Sequence, residues 1–478
     1  MLELIVCVDS NWGFAKQETI PWHFKEDLKY FASMTKTVID SNKKNIIIMG
    51  RKTWDCIPPN IRPLKDRINI VVSRTLTEEN KDNLFFVKTI DDAVKIGGMM
   101  VIKNKVEKVF MIGGLAIYDY ALNSVLFGKA HITKINRNYD CDRFFPYQLM
   151  FEKANHNIML DRTVTENNEH LTFMTFESKE KYIGEDQYNH LLWDIMMNGD
   201  YRATRNANTR SLFGRELKFN LSNGFPLLTC KKTFMRGVFE ELKFFLQGKT
   251  DTKELATKGV HIWDANTTRE FLDKCGLNLE EGSLGPLYGF QMKYFDAPYE
   301  SSHTDYTGKG FDQIKYIMDT LKKDRYSRRI LMTTYNPRMA SQAPLFPCHG
   351  ITIQFHCENN RLNCAMFQRS CDTVCGLPFN IASYALLIHI MCELVNNSND
   401  FIGEKFIPGE LIIYLGDVHI YDEITHTNAV LEHITRVPYP FCKLIFKKHF
   451  DNIDNLLWED IELVNYQSHP SIKVNMIA

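Results

Sequence analysis

Four short runs rich in branched side chains, Leu2–Val8, Asn45–Met49, Ile68–Val72 and Val109–Ile112, alternate with helical patterns. Each run is followed by Gly, Ser, Arg or Asp. Strands interleaved with helices leave an open α/β sheet as the expected fold, with ligands gathering beyond the carboxyl ends of the strands. Leu171–Phe176 alternates as a late antiparallel strand, and the charged, aperiodic stretch Glu177–Lys181 reads as a linker. A helical pattern then opens at Gln187 (Tyr188, Leu191, Leu192, Ile195, Met196). Beyond it, long helices (Val238–Leu246, Phe311–Lys322, Ile381–Val395) mix with strands (Ile330–Thr334, Gly350–His356, Arg361–Gln368, Glu410–Tyr414). The expected organisation is therefore an α/β domain followed by an α+β domain, within the two or three domains that 478 residues allow. There is no internal repeat and no low-complexity tract.

Composition excludes several classes. Hydrophobic residues at 44% and charged residues at 24% fit a globular protein rather than a disordered one. A formal charge of −1 gives no global attraction for nucleic acid or an anionic membrane, so phosphate must be met by local arginines. The 12 cysteines are scattered without CxxC pairs beside histidine pairs, so neither a metal site nor a disulfide framework is expected. MLELIVCVDS at the N-terminus lacks the basic start of a signal peptide. Phe379–Val395 is interrupted by Asn380, Ser383, His389 and Glu393, too short and too polar to span a bilayer, and is expected to be a buried helix. A reducing, cytoplasmic location is the expectation.

In the first third, Asp27 and Phe31 lie four apart on one helical face beside Leu28. A carboxylate among apolar groups is desolvated and seeks an N–H-rich ligand such as a pterin, although a solvated acid on an amphipathic helix has the same spacing. The surrounding motifs decide. Pro21-Trp22 with Asp27 and Phe31, Met49-Gly50-Arg51-Lys52-Thr53-Trp54, Arg62-Pro63-Leu64-Lys65-Asp66-Arg67, Val72-Ser73-Arg74, Ile112-Gly113-Gly114 with Tyr118, and Ile132-Thr133 occur in order. Residues 1 to 176 thus resemble dihydrofolate reductase, with its mixed, mostly parallel sheet and flanking helices. Gly50 to Thr53 would hold phosphate at a helix start, and Gly113-Gly114 would allow close approach of a pyrophosphate. The resemblance implies NADPH as cofactor, 2′-phosphate contacts from Arg51, Ser73 and Arg74, and further cofactor contacts from Cys7, Phe14, Lys52, Leu115, Ala116 and Tyr118. It makes Asp27 the catalytic acid, oriented with the pterin by Thr133. Leu28, Phe31, Ile57 and Ile112 would line the pocket, and Arg67 would bind the folate α-carboxylate. Gly13-Phe14-Ala15 departs from the family's Gly-Ile-Gly loop.

The second half holds Leu345-Phe346-Pro347-Cys348-His349 and, further on, the run QRSCDTVCGLPFNIASY from Gln368 to Tyr384. A cysteine attacks as thiolate and needs a fixed positive charge to lower its pKa; Arg369 is the candidate, while a buried apolar role is the plain alternative for any of these cysteines. Asn380 offers both donor and acceptor to a heterocycle, and is equally well suited to cap a helix before Ile381. The run resembles the active-site core of thymidylate synthase, and the resemblance extends from about residue 186 to residue 478, with a mixed sheet and long helices. It implies Cys348 as nucleophile toward dUMP, with Glu241, Tyr288, Asn380 and Arg369 as further catalytic groups. For dUMP it implies Arg369, Ser370, Arg205, Gln368, His349, His419 and Tyr421, with Arg328-Arg329 reaching in from a second subunit of a homodimer. On the side of 5,10-methylenetetrahydrofolate it implies Trp263, Asn266, Asp372, Gly376, Phe379 and the terminal Met476-Ile477-Ala478. Bland readings stand beside these: a helix-surface acid for Glu241, a core side chain for Trp263, a solvated pair for Arg328-Arg329. Arg205-Asn206-Ala207-Asn208-Thr209-Arg210 lacks the family's glycines, so Arg210 could replace Arg205.

Reductase followed by synthase on one chain resembles the bifunctional dihydrofolate reductase–thymidylate synthases of protists and plants. The expected domains are 1–177 and 186–478, joined by 178–185. The expected partners are dihydrofolate, dUMP and a second copy of the chain, without a membrane or, as a main partner, nucleic acid. Two other readings remain open: a synthase half that serves only as a dimerisation scaffold, and an RNA-binding role, which the absence of a basic stripe disfavours.

Overall fold

The computed structural model describes residues 1–76, 80–178, 183–204, 207–475 and 477; for residues 155–160 it describes the backbone alone. By compactness it divides into two units. One comprises Met1–Tyr182 with Asn189–Met197 and Val430–Val437, the other Ile183–Tyr188, Asn198–Ala429 and Pro438–Ala478. Among the expectations, Arg205, Met476, Ala478 and the linker stretch 179–181 lie outside the described residues.

The first unit is built on ten strands: β1 (Leu2–Val8), β2 (Gly13–Ala15), β3 (Lys44–Gly50), β4 (Arg67–Val72), β5 (Leu84–Val87), β6 (Val106–Met111), β7 (Phe127–Ile135), β8 (Arg143–Phe144), β9 (Ala154–Glu166) and β10 (Glu169–Ser178). Eight form one sheet in the order β5-β4-β3-β6-β1-β7-β10-β9. Its first six strands run parallel, and β10 and β9 close the edge antiparallel. The sheet is mixed and mostly parallel, as the alternating pattern predicts. Continuous burial along β3 and β4 follows from helices covering both faces of a parallel sheet. Ile5, Ile47, Met49, Val71, Phe110 and Ile112 form one core cluster, against which Phe31 and Ile57 pack. β3 ends at Gly50 and the helix Arg51–Cys56 begins at the next residue, the strand-to-helix turn the Gly-Arg-Lys-Thr motif calls for.

The second unit holds a six-stranded sheet of β11 (Asp200–Arg202), β12 (Thr209–Asn220), β13 (Leu331–Met332), β14 (Thr352–Glu358), β15 (Arg361–Asp372) and β16 (Ile407–Tyr421), in the order β11-β12-β16-β15-β14-β13. Only β15 and β16 pair in parallel, and their carboxyl ends carry Ser370 opposite Asp417 and Asp372 opposite His419. One face of the sheet packs on the helix Gly376–Asn396, against which the helix Met235–Leu246 packs in turn. β14 alternates strictly between buried and exposed residues, as a half-covered antiparallel strand does.

The helix Gly376–Asn396 requires two corrections. Its 21 residues contain an 18-residue stretch of mean hydropathy 1.4, long and apolar enough to cross a bilayer, so length does not exclude a span. Burial within the unit is what marks it as a core helix, since 83% of that apolar stretch is covered. Asn380, weighed as a helix cap, lies inside the helix, which begins four residues earlier at Gly376. Pro378 is tolerated in that first turn because its missing N–H has no intrahelical partner there anyway.

Candidate active sites

In the first unit, the helix Lys25–Lys36 presents Asp27 toward Thr133 on β7 and Cys7 on β1. Burial pushes the Asp27 carboxyl above the usual carboxylate range, while hydrogen bonds from Thr133 and Cys7 oppose that rise. The Cys7 thiol is driven far up by burial and then by the Asp27 charge, so it stays protonated. A carboxyl whose protonated form is favoured by its recess can hold a proton for transfer. Leu28 is exposed and Phe31 half-buried beside it. Arg67 is 4% exposed, lying over the Phe31 ring at 5.8 Å and donating to Thr35 Oγ1 (2.7 Å) and Lys65 O. Its guanidinium is more deeply placed than a surface carboxylate binder would be.

The phosphate-type groups gather at the carboxyl ends of β3, β4 and β6. Gly50 N donates to Gly113 O at 2.7 Å, and the peptide Gly113-Gly114 is cis. Gly113 has φ +118°, and a Cβ there would lie 2.8 Å from the Tyr118 hydroxyl. Tyr118 in turn donates to Ile112 O and packs edge-on against Phe14. Leu115 and Ala116 begin the following helix, Leu115–Asn123. Arg51 donates to Thr75 Oγ1 (3.0 Å), and Ser73 Oγ accepts from Thr75 N and Leu76 N. Thr75, which the sequence reading passed over, thus joins Arg51 to Ser73; its place two residues after Ser73 was the available signal. Arg74 is exposed next to them. Lys52 pairs with Glu18, which follows Gly13-Phe14-Ala15 on the same loop.

In the second unit, Cys348 sits in the loop before β14. Its N–H donates to the Tyr288 hydroxyl at 3.0 Å, and that hydroxyl lies 3.3 Å from Sγ, where either group can donate. Tyr288 holds φ +33°, a backbone strain of the kind kept where a side chain must be aimed. The Arg369 charge does lower the thiol pKa, as expected, but it does not prevail. Burial pushes Cys348 up, the Tyr288 hydrogen bond and then the Arg369 charge only oppose it, and the resting group is a thiol. The Arg369 side chain is engaged elsewhere, donating through Nε to Pro347 O (2.7 Å) and through a terminal nitrogen to Phe346 O (3.0 Å). It therefore clamps the Cys348 loop, and Arg369 N also donates to Cys348 O.

Glu241 and Trp263 meet: the indole N–H donates to the carboxylate at 2.8 Å. Glu241 is buried, which raises its pKa to about 7 against that hydrogen bond, so the surface-acid reading does not hold. Asn266 is buried one turn after Trp263. Gln368, 1% exposed, donates to Asn380 Oδ1 at 3.0 Å and stands behind that amide. His419 Nδ1 lies 3.1 Å from Asp417, and the His419 and Tyr421 rings meet edge to face. Asp417 also takes Arg202 (3.2 Å), an arginine that sequence reasoning missed three residues before Arg205. Arg210 lies on β12 opposite Ile420. Burial raises the Asp372 carboxyl, but His426 and the N–H groups of Cys375 and Val374 prevail and hold it below its usual value. Asp372, Cys375 and His426 place three possible metal ligands within 4.8 Å. The Lys231 amine donates to Val374 O beside them, and burial lowers its pKa against the pull of Cys375 and Asp372. Gly376 opens the following helix and Phe379 is half-buried in its first turn. Arg328 and Arg329 are exposed, and no described hydrogen bond joins either side chain to Cys348 or Arg369.

A dihydrofolate reductase family model matches residues 1–181 and a thymidylate synthase family model residues 186–478. The chain belongs to the bifunctional dihydrofolate reductase–thymidylate synthase family. It is 36% identical to the bifunctional dihydrofolate reductase-thymidylate synthase 1 of Arabidopsis thaliana over 511 residues, covering 99% of this chain and 95% of that protein. It is 37% identical to the bifunctional enzyme of Paramecium tetraurelia over 483 residues (99% and 98%) and 35% identical to that of Leishmania major over 506 residues (99% and 94%). As a bifunctional dihydrofolate reductase–thymidylate synthase, the chain is an oxidoreductase and a methyltransferase of dTMP synthesis, using dihydrofolate and dUMP.

Proposed function

We propose that residues 1–177 reduce 7,8-dihydrofolate with NADPH and that residues 186–478 methylate dUMP with 5,10-methylenetetrahydrofolate, the segment 178–185 linking them. The observation that carries this reading is one half-buried reactive group per unit, each with its partner: Asp27 with Thr133 and Cys7, Cys348 with Tyr288. In the reductase half, Asp27 holds the proton and orients the pterin with Thr133. Leu28, Phe31, Ile57 and Ile112 line the pocket, and Arg67 meets the folate tail. Gly50 to Thr53, Gly113 to Ala116, Tyr118, Ser73 and Arg74 receive NADPH.

In the synthase half, Cys348 adds to C6 of the pyrimidine. Because the resting group is a thiol, its proton must leave as the substrate binds. Tyr288, whose hydroxyl lies 3.3 Å from Sγ, and Glu241, poised near neutrality, are the groups placed to relay protons. Asn380 reads the ring, while His419 and Tyr421 hold the sugar. Trp263, Asn266, Asp372 and Phe379 face the folate. Joining the two halves keeps the dihydrofolate made by one close to the other.

We further propose a homodimer through the synthase half, in which the exposed Arg328 and Arg329 enter the partner's site. The uncovered face of the six-stranded sheet supports this: Phe213, Phe367 and Tyr414 are 74%, 39% and 44% exposed there. A cytoplasmic location accords with the many unpaired cysteines. The test is a pair of variants on the full chain. Cys348→Ser should abolish dTMP formation and leave dihydrofolate-dependent NADPH oxidation at its wild-type rate, and Asp27→Asn should do the reverse. Full synthase activity in Cys348→Ser would overturn the assignment.

A further inference from the structure

Behind the Cys348 loop, His349 is gripped from two directions by groups that no role has yet claimed together. The Tyr288 ring stacks on the imidazole at a centroid distance of 4.3 Å with an interplanar angle of 13°. The Tyr384 hydroxyl lies 2.9 Å from Nδ1, and its ring stands edge-on at 82°. Both tyrosines are fully buried, and His349 is 9% exposed. Gly350, next in the chain, makes room for this contact: at φ +63°, an added Cβ would fall 2.5 Å from the Tyr384 hydroxyl.

We infer that Tyr384 is a positioning residue of the synthase reaction, fixing His349 as the tautomer that carries its proton on Nε2. The inference rests on the synthase reading above. The direction of the hydrogen bond follows from the inventory of partners. A phenol has one proton and must give it to an acceptor when buried. Among the described residues, Nδ1 of His349 is the only acceptor paired with the Tyr384 hydroxyl, so the hydroxyl donates and Nδ1 accepts. A neutral imidazole accepting at Nδ1 has its N–H at Nε2. Burial supports the neutral form, holding the His349 pKa down at about 3, and it raises Tyr384 well above the usual phenol value, so neither group changes charge in the working range.

Nε2 makes no hydrogen bond among the described residues and is not among the buried polar atoms without a partner. It is therefore left for solvent or ligand. A fixed Nε2–H in the residue after the nucleophile can donate to the pyrimidine carbonyl oxygen, or to a water on it, where negative charge develops as sulfur adds at C6. Tyr384 touches neither sulfur nor nucleotide in this scheme; it sets which edge of His349 is the donor.

The experiment compares Tyr384→Phe, His349→Asn and the double variant in the full chain. Tyr384→Phe should lower synthase kcat roughly 10- to 100-fold, below the 100- to 1,000-fold loss of a whole oxyanion donor. KM for dUMP should stay within about threefold, and the reductase rate should be unchanged. In the His349→Asn background, Tyr384→Phe should cost nothing further, because the residue it acts through is gone. Losses that multiply would show a packing role and overturn the inference, as would an unchanged kcat. If Tyr384→Phe does not fold, Gly350→Ala disturbs the same contact from the other side, and a wild-type kcat there would be equally fatal. Synthase activity surviving Cys348→Ser would instead strike at the underlying reading, so the two failures are distinguishable.

Discussion

Single residues carry the acid–base chemistry, and their charge states follow from depth. Glu241 has an ordinary pKa of 4.5 and is raised to about 7 in the fold. Its folded form therefore holds the proton more tightly than its unfolded form. Stability falls as pH rises from about 4.5 to about 7, and the cost persists above that range. Glu241→Gln should flatten this decline, gaining on the order of 2–3 kcal/mol at pH 8 relative to pH 5 when compared with wild type, as measured by urea unfolding at the two pH values. The same substitution should cost the synthase about 100-fold or more in kcat, since the group no longer moves a proton. Much at this scale was legible in the sequence: the motif around Cys348 picks it out of 12 cysteines, and Asp27 stands in an ordered set of motifs. Depth was not. Arg369 looks like the cation beside the sulfur, but its donors are turned to the backbone of Phe346 and Pro347, and burial of Cys348 wins. The Trp263–Glu241 hydrogen bond was equally hidden, because a contact 22 residues apart leaves no periodic trace.

At the scale of elements, what positions each site is the place where a strand stops. β3 ends at Gly50, β6 shortly before Gly113-Gly114, and β15 and β16 at Asp372 and Tyr421. Gly113→Ala should be damaging for two separate reasons, a φ of +118° and a methyl 2.8 Å from the Tyr118 hydroxyl. Strain of about 1–3 kcal/mol is expected, read as a loss of at least tenfold in NADPH affinity with dTMP formation intact. Strand cores were readable because branched residues repeat with the right period, and β1 spans the predicted Leu2–Val8. Ends were not: β13 shrinks to Leu331–Met332, while β15 and β16 run past their predicted limits to Asp372 and Tyr421. Those extensions, Arg369–Asp372 and Leu415–Tyr421, are rich in polar residues and carry candidate site groups, so hydropathy alone stops short of them.

At the scale of the whole molecule, the exposed sheet face and the outward arginines make a joint prediction. Phe213→Asp should drive the protein toward monomers in sedimentation, and dTMP formation should fall with the dimer fraction while NADPH oxidation persists. Mixing Cys348→Ser with Arg328→Ala chains should restore activity, since one site of each mixed dimer has both groups intact. No recovery after confirmed exchange of subunits would sink the shared site. The order of the two halves along the chain was plain from their motifs. The course of the boundary in space was not, since Asn189–Met197 and Val430–Val437 cluster with the first unit although they follow residue 185.

One amide pair carries a consequence for what the synthase half would refuse if Asn380 reads the base. Because Gln368 Nε2 holds Asn380 Oδ1, the Asn380 amide cannot turn over without bringing two NH₂ groups face to face. A base with an amino group at position 4 and a bare ring nitrogen would require that turned-over amide. If Asn380 reads the ring as proposed, rejection of the deoxycytidylate analogue would be enforced from one layer back, through Gln368.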